Sequence, residues 1–245
     1  MTDHAGQGGV AMEGREDVIR YRIMAVTVKH FNRRSFGRVQ LSDISRDLNV
    51  DRAVVRRYFK TVEDILNTVI DSFFRDIEDI LQVFVDDVFI PAVRSGELQI
   101  RKDRLHFANP QGAAVFNGKL IDHFEALYDY LLVHSGECSL LVKESLVSGA
   151  HHGCMERLLS LFLPIPTNPL YQKIKAAAKI HLAPEIQTNI LQTYILPILS
   201  YITFKENLDQ LVNHDQETYK QNLLSEIRAG NARHIIGQDI FYAAI

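Results

Sequence analysis

The sequence predicts an all-α protein, an N-terminal three-helix head containing a helix-turn-helix fused to an all-helical C-terminal body. Three observations lead there. Apolar residues recur at three- and four-residue spacing through most of the 245 residues. Residues 41–59, LSDISRDLNVDRAVVRRYF, read as two short helices about a tight turn. The charge is also divided: residues 15–61 hold twelve Lys or Arg against five Asp or Glu, and residues 62–245 hold fifteen against twenty-three. A net charge of −3 conceals that split, which is the layout of a polyanion-binding head on an acidic body.

Taken in order, residues 1–14 carry four glycines and read as a disordered leader. Residues 15–61 form the head and residues 62–245 the body. Ile19, Ile23, Val26, Thr27, His30 and Phe31 keep the spacing of a first helix of about four turns. In the second, Leu41, Ile44, Ser45 and Leu48 share a face. Asn49 stands at the turn, where its tolerance of the left-handed conformation is useful, and Asp51 caps the third helix. Thr61-Val62-Glu63-Asp64 resembles a capping box and starts a long helix through Ile65, Leu66, Val69, Ile70, Phe73, Phe74, Ile77, Ile80, Leu81 and Phe84, with Pro91 as its far limit. Leu98/Ile100 and Leu105/Phe107 alternate about Arg101-Lys102-Asp103, the pattern of a short hairpin or a structured loop. Helices are expected over 111–135, 138–162, 171–181, 185–211 and 214–228. Pro197 should kink the fourth of these or weaken one turn, and Gly230 should end the last. The tail 231–245 is apolar enough to dock.

The composition narrows the function classes. No apolar run approaches the ~20 residues that span a bilayer, and the N-terminus lacks the basic start and apolar stretch of a secretory signal. Cys138 and Cys154 are the only cysteines, which fits a reducing cytoplasm and neither a disulfide framework nor a zinc finger. His151 and His152 are adjacent, and on a helix they would point about 100° apart rather than share one metal ion. His134 and His181 are isolated. No glycine loop cradles a phosphate, and Ser135, Ser145 and Ser148 lack a nucleophile-elbow setting. Asp86-Asp87 reads as a solvated helix end and Phe73, Phe74 and Phe84 as core. The expectation is a cytoplasmic, non-enzymatic protein with no cofactor, no metal and no membrane partner.

The third helix of the head is where chemistry concentrates. Val55 and Phe59, four residues apart, make its buried stripe. Arg52, Ala53, Val54, Arg56, Arg57 and Tyr58 are left facing outward, with Lys60 after them and Arg46 on the preceding helix. Guanidinium groups suit both bidentate contact with guanine and clamping of phosphates. Those eight residues are the candidate DNA contacts. A surface salt bridge with Asp43 or Asp47 is an equal alternative for Arg46.

The order of parts resembles the tetracycline-repressor (TetR) family of bacterial transcription regulators. FNRRSFGRVQLSDISRDLNV is similar to that family's Phe…Gly-Tyr…Thr-Thr-Val…Ile-Ala…Gly-Val, and VVRRYFKTVEDIL to its Leu-Tyr-x-His-Phe-x-Ser-Lys-Glu-x-Leu. Ile23, Phe31, Phe36, Ile44, Val50, Val55, Phe59, Glu63 and Leu66 stand at its anchor positions. The likeness covers roughly a fifth of the chain. Ser35 and Asn49 replace family glycines, Arg56 its tyrosine, Tyr58 its histidine and Val62 its phosphate-touching lysine, and Gln40 is a poorer cap than its threonine. The resemblance implies a homodimer on a palindromic double-stranded operator, released by a small-molecule effector. It also implies dimerisation through the last two long helices, here Leu191, Tyr194, Ile195, Ile198, Ile202, Leu223 and Ile227.

For the effector, the body offers apolar middle helices with sparse polar groups at His123, Tyr128, His151, His152, Met155 and Tyr194. That composition suits a lipophilic or aromatic molecule rather than a charged metabolite. Two other readings stand beside the ligand-released repressor. One is a DNA-binding dimer of the same kind controlled by a protein partner. The other is a helical-bundle enzyme or metal protein whose basic N-terminus is incidental.

Overall fold

The computed structural model describes residues 7–34, 38–101, 104–147, 149, 151–178, 190–212 and 215–235. Apart from one hairpin the described chain is helical, an N-terminal helix cluster followed by a longer helical region. It divides into two compact units, residues 1–73 and 74–245.

The first unit contains α1 (Gln7–Arg33), α2 (Leu41–Leu48), α3 (Arg52–Tyr58) and the start of α4 (Val62–Phe84). α1 packs on α2, and α2 on α3. Ile23, Phe31, Ile44, Val55 and Phe59 are buried, and each such side chain contributes roughly 1.5–3 kcal/mol of transfer free energy. α1 begins at Gln7, inside the stretch expected as a leader. Once a helix is nucleated each added residue costs little, and Ala11, Met12 and Glu13 are good helix formers.

The three boundaries that shape this unit are held by the polar residues named from the sequence. Asn49 adopts φ 53°, ψ 47° and ends α2. Asp51 Oδ1 accepts the Ala53 amide at 2.6 Å and opens α3. At α4 the box is reciprocal: Thr61 Oγ1 accepts the Asp64 amide at 3.0 Å and Asp64 Oδ2 accepts the Thr61 amide at 2.9 Å. α2 solves the problem of its weak cap differently, because Asp43 Oδ2 accepts the Gln40 amide at 3.2 Å.

α4 ends at Phe84, within the limit expected at Pro91, but the rod does not stop there. A π-helical segment, Val85–Phe89, carries it into α5, Ile90–Arg94. A second π segment, Ile190–Ile195, leads into α10, Leu196–Val212, which contains Pro197. Each proline thus follows a π segment at the same remove. A proline ring clashes with the carbonyl four residues back in an α-helix, and the wider π turn relieves that clash. α10 leaves helical geometry at Phe204 (φ −109°, ψ 16°), seven residues beyond Pro197, where the kink was expected.

The hairpin forms, with β1 (Leu98–Arg101) antiparallel to β2 (Arg104–Phe107) and Leu98 opposite Phe107. Leu98 and Phe116 seed a cluster with Phe84, Phe89, Leu105 and Phe107. α6 (Pro110–Val133) opens on an Asn109 cap. The single helix expected over 138–162 is two, α7 (Ser135–Ser145) and α8 (Cys154–Phe162). Gly149 and Gly153 lie in the break, where glycine's conformational freedom opposes a helix. α9 spans Pro169–Ala178.

Between α8 and α9 the buried Asn168 acts as a polar staple. Its Nδ2 donates to the carbonyls of Ser160, Leu161 and Leu163 at 3.1, 2.8 and 2.8 Å. Its Oδ1 accepts the amides of Leu170 and Tyr171 at 2.9 and 3.3 Å. One side chain thereby satisfies the end of one helix and the start of the next.

α11 (Gln216–Ile235) runs through Gly230 rather than ending there. A Cβ on Gly230 would stand 3.2 Å from Thr193 Cγ2, so the glycine serves close packing against the second π segment. His181, residues 185–189 of an expected helix, and residues 236–245 of the expected tail lie outside the described residues, as do 1–6.

Candidate nucleic-acid interface

The α2–turn–α3 unit presents one helix face outward. Val55 and Phe59 are 0% and 3% exposed, which fixes the rotation of α3. Arg52, Ala53, Arg56, Arg57 and Lys60 are exposed, and Val54 and Tyr58 half-buried. Arg52 and Arg56, one turn apart, share a side of the helix. The Asp51 carboxylate at the N-terminus of α3 satisfies an orphan amide and complements the helix dipole.

Acidic residues of α2 organise the remaining basic groups. Asp43 Oδ1 accepts from Arg46 Nη2 at 2.7 Å, and Arg34 Nη1 lies 3.6 Å from Oδ2. The Gln40 amide, then those two arginines, hold the Asp43 carboxyl below the ordinary carboxylate range. Arg46 is therefore in the salt bridge that was its alternative role, although its side chain remains 69% exposed. His30 Nε2 faces Asp47 Oδ2 at 3.0 Å, without the alignment of a hydrogen bond. Arg20 lies over the Phe59 ring at 5.4 Å, covering the end of α3 from α1. Arg57 donates to the Tyr58 hydroxyl at 3.0 Å and lies 3.8 Å from Glu16 Oε1. The sequence reading missed Glu16, because its relation to α3 depends on how α1 packs. Of the matched family positions, Ser35, Phe36 and Gly37 lie outside the described residues.

The residues expected to hold an effector lie in several surroundings. His123 packs 4.9 Å from the Phe84 ring and 6.1 Å from Phe124, which stacks on Tyr194 at 5.1 Å. Burial lowers the His123 pKa to about 4 and leaves the ring neutral. Tyr128 is fully buried beside Tyr201, 6.2 Å between centroids. Burial raises its pKa. His151 and His152 sit in the turn before α8 rather than on a helix, Met155 is half-buried, and His152 is exposed. A cleft of ≈ 680 Å³ opens along α8. Leu159, Leu163, Ile165 and Leu191 line it with Glu156, Arg157, Ser160 and Thr167. Arg157 stacks on Phe74 at 4.2 Å.

The residues expected to join two protomers are placed inside one. Tyr194, Ile195, Ile198, Ile202, Leu223 and Ile227 are buried within the protomer, and Leu191 lies in the cleft. Their apolar surplus fills the chain's own core, because π geometry and close packing at Gly230 bring three helical segments together. Leu196, Phe204 and Leu211 of α10 are the exposed large apolar residues there, at 42%, 53% and 80%. Among the described residues no cluster of three His, Cys, Asp or Glu could hold a metal ion, and no helix is long and apolar enough to cross a membrane.

Neither a family model nor a curated protein matches the chain. Among solved structures it is similar to a tetR-family transcriptional regulator from Streptomyces coelicolor. That likeness has 15% identity over 87% of this chain and 82% of the other, with a TM-score of 0.41. It is a distant structural match.

Proposed function

We propose that this chain is a DNA-binding transcriptional regulator of the TetR type, working as a homodimeric repressor on a palindromic operator. The observation that carries the reading is the capped α2–Asn49–α3 unit, with Val55 and Phe59 turned in and Arg52, Arg56 and Arg57 turned out. A helix so presented fits a major groove, and two-fold pairing of such helices about 34–36 Å apart reads a palindrome. The basic charge of residues 15–61 supports the same conclusion.

The effector in this reading is a lipophilic small molecule bound in the body, and the cleft along α8 is of the size such ligands occupy. α4 is one helix whose residues belong to both units, so it is the covalent route by which occupancy reaches α3. A ligand need only prefer one disposition of α4 to release DNA. The competing reading, control by a protein partner, is favoured by the packed state of Tyr128 and Tyr194. Dimerisation is assigned to the exposed apolar residues of α10.

A mobility-shift screen of genomic fragments tests the reading, followed by release of the shifted fragment by lipophilic compounds. No shifted fragment at low salt rejects DNA binding. A shift that no small molecule reverses favours partner control.

A further inference from the structure

Arg57 is the restrained arginine of α3. Its Nη2 donates to the Tyr58 hydroxyl at 3.0 Å, and its guanidinium carbon lies 5.2 Å from the centre of the Tyr58 ring. Glu16, on α1, brings Oε1 to 3.8 Å from the same Nη2. Both charged side chains are open to solvent, Arg57 at 65% and Glu16 at 57%. By contrast, neither Arg52 nor Arg56 has an ion-pair or ring partner among the described residues.

We propose that Glu16 and Tyr58 are positioning residues for Arg57 in DNA binding, with Glu16 holding the place that a phosphate oxygen takes when DNA arrives. The inference rests on the reading that α3 meets DNA. A carboxylate and a phosphate offer a guanidinium the same kind of acceptor. At 3.8 Å Glu16 acts through charge rather than a hydrogen bond, and an exposed pair of this sort is weak enough to be exchanged. Tyr58 does the opposite task. Its hydroxyl and ring reduce the conformations open to a long flexible side chain, so less entropy is lost when Arg57 closes on DNA.

The two positioning residues therefore have effects of opposite sign. Glu16 competes with DNA and lowers affinity. Tyr58 presets Arg57 and raises it. Both effects act on every sequence alike, because a phosphate carries no sequence information.

The test titrates the full chain with a random-sequence duplex of about 30 base pairs at low and at near-physiological salt. Glu16→Gln should bind about two- to five-fold tighter at low salt, with a smaller gain at high salt. Tyr58→Phe should bind more weakly. Arg57→Ala should lower the salt slope by about 0.9 and erase the effects of both other substitutions. Asp17→Asn removes the same charge one position along α1 and controls for net charge. Thermal unfolding of each variant confirms that the fold is kept.

Equal gains from Glu16→Gln and Asp17→Asn would overturn the proposal, as would a Glu16→Gln gain that survives in the Arg57→Ala background. In either case the wild-type chain still binds DNA and the functional reading stands. A wild-type chain with no affinity for the duplex would remove both.

Discussion

Gly230 and Thr193 pack closely: a Cβ on residue 230 would lie 3.2 Å from Thr193 Cγ2, so that one of the two would have to give by a few tenths of an ångström. Gly→Ala inside a helix ordinarily stabilises by about 1 kcal/mol. Here the contact opposes that gain, so Gly230→Ala should leave the melting temperature unchanged or lower it. In a Thr193→Ser background, which keeps the hydroxyl and removes Cγ2, the same substitution should become stabilising. Additive effects in that double-mutant cycle would reject the steric account.

Burial holds the His123 pKa at about 4, below its ordinary 6.5. The folded state excludes the proton, so the stability His123 contributes is complete above pH 6.5. It is lost as pH falls from there toward 4, up to about 3 kcal/mol. Denaturant unfolding at pH 7.5 and pH 5 (roughly neutral and mildly acidic, either side of the ordinary His value) should show this loss in wild type. His123→Gln should show a smaller loss, and identical pH profiles for the two chains would exclude the residue as its source.

Asn168 makes five hydrogen bonds from a buried position. Asn168→Asp keeps the shape but sets a carboxylate against three carbonyl oxygens. A loss of roughly 3 kcal/mol or more is expected, since the oxygen that replaces Nδ2 faces three acceptors and has no donor, while the other keeps the Leu170 and Tyr171 amides. Asn168→Ala should cost less. Equal stability of the two variants would mean that the carbonyls find other donors.

Removing the α3 cap separates local order from contact. Asp51→Ala should cost about 1 kcal/mol of stability and also weaken DNA binding, although Asp51 is itself acidic. Arg52→Ala and Arg56→Ala should leave stability nearly unchanged and cost about 1–3 kcal/mol of binding each. Filter binding and thermal melting on the same preparations distinguish the two patterns.

Leu196, Phe204 and Leu211 of α10 are exposed. If two protomers meet there, Phe204→Glu with Leu196→Glu should yield a monomer in sedimentation. Ile195→Glu, at a position 2% exposed, should unfold the chain instead. A doubly substituted chain that still sediments as a dimer places the interface elsewhere.

The head was legible because its determinants are local. Asn49, Asp51, Thr61 and Asp64 act within four residues of themselves, and the Val55–Phe59 stripe fixes which arginines face out. The body was legible as helical periodicity and as a hairpin, but not in its breaks or its faces. Whether Ile195 points to its own core or to a second chain depends on what packs beside it, and a 3.6-residue period is silent on that. Gly230 reads equally as a cap or as a close approach until Thr193 is seen beside it. Glu16 looked like an ordinary surface carboxylate because its partner lies forty-one positions away.

The π segments have a further consequence for how a single rod can serve changing neighbours. Val85 and Ile90 are five residues apart and both 6% exposed, with the Ile90 amide bonded to the Val85 carbonyl. An ordinary α-helix would turn those two side chains about 140° from each other. The segment thus works as a slip in phase: it lets the apolar seam change bearing while the rod stays unbroken. Ile190–Ile195 repeats the device ahead of Pro197. Deleting one residue inside either segment would restore a uniform pitch and swing everything downstream around the axis, so these are the places where the chain's reading frame of faces is set.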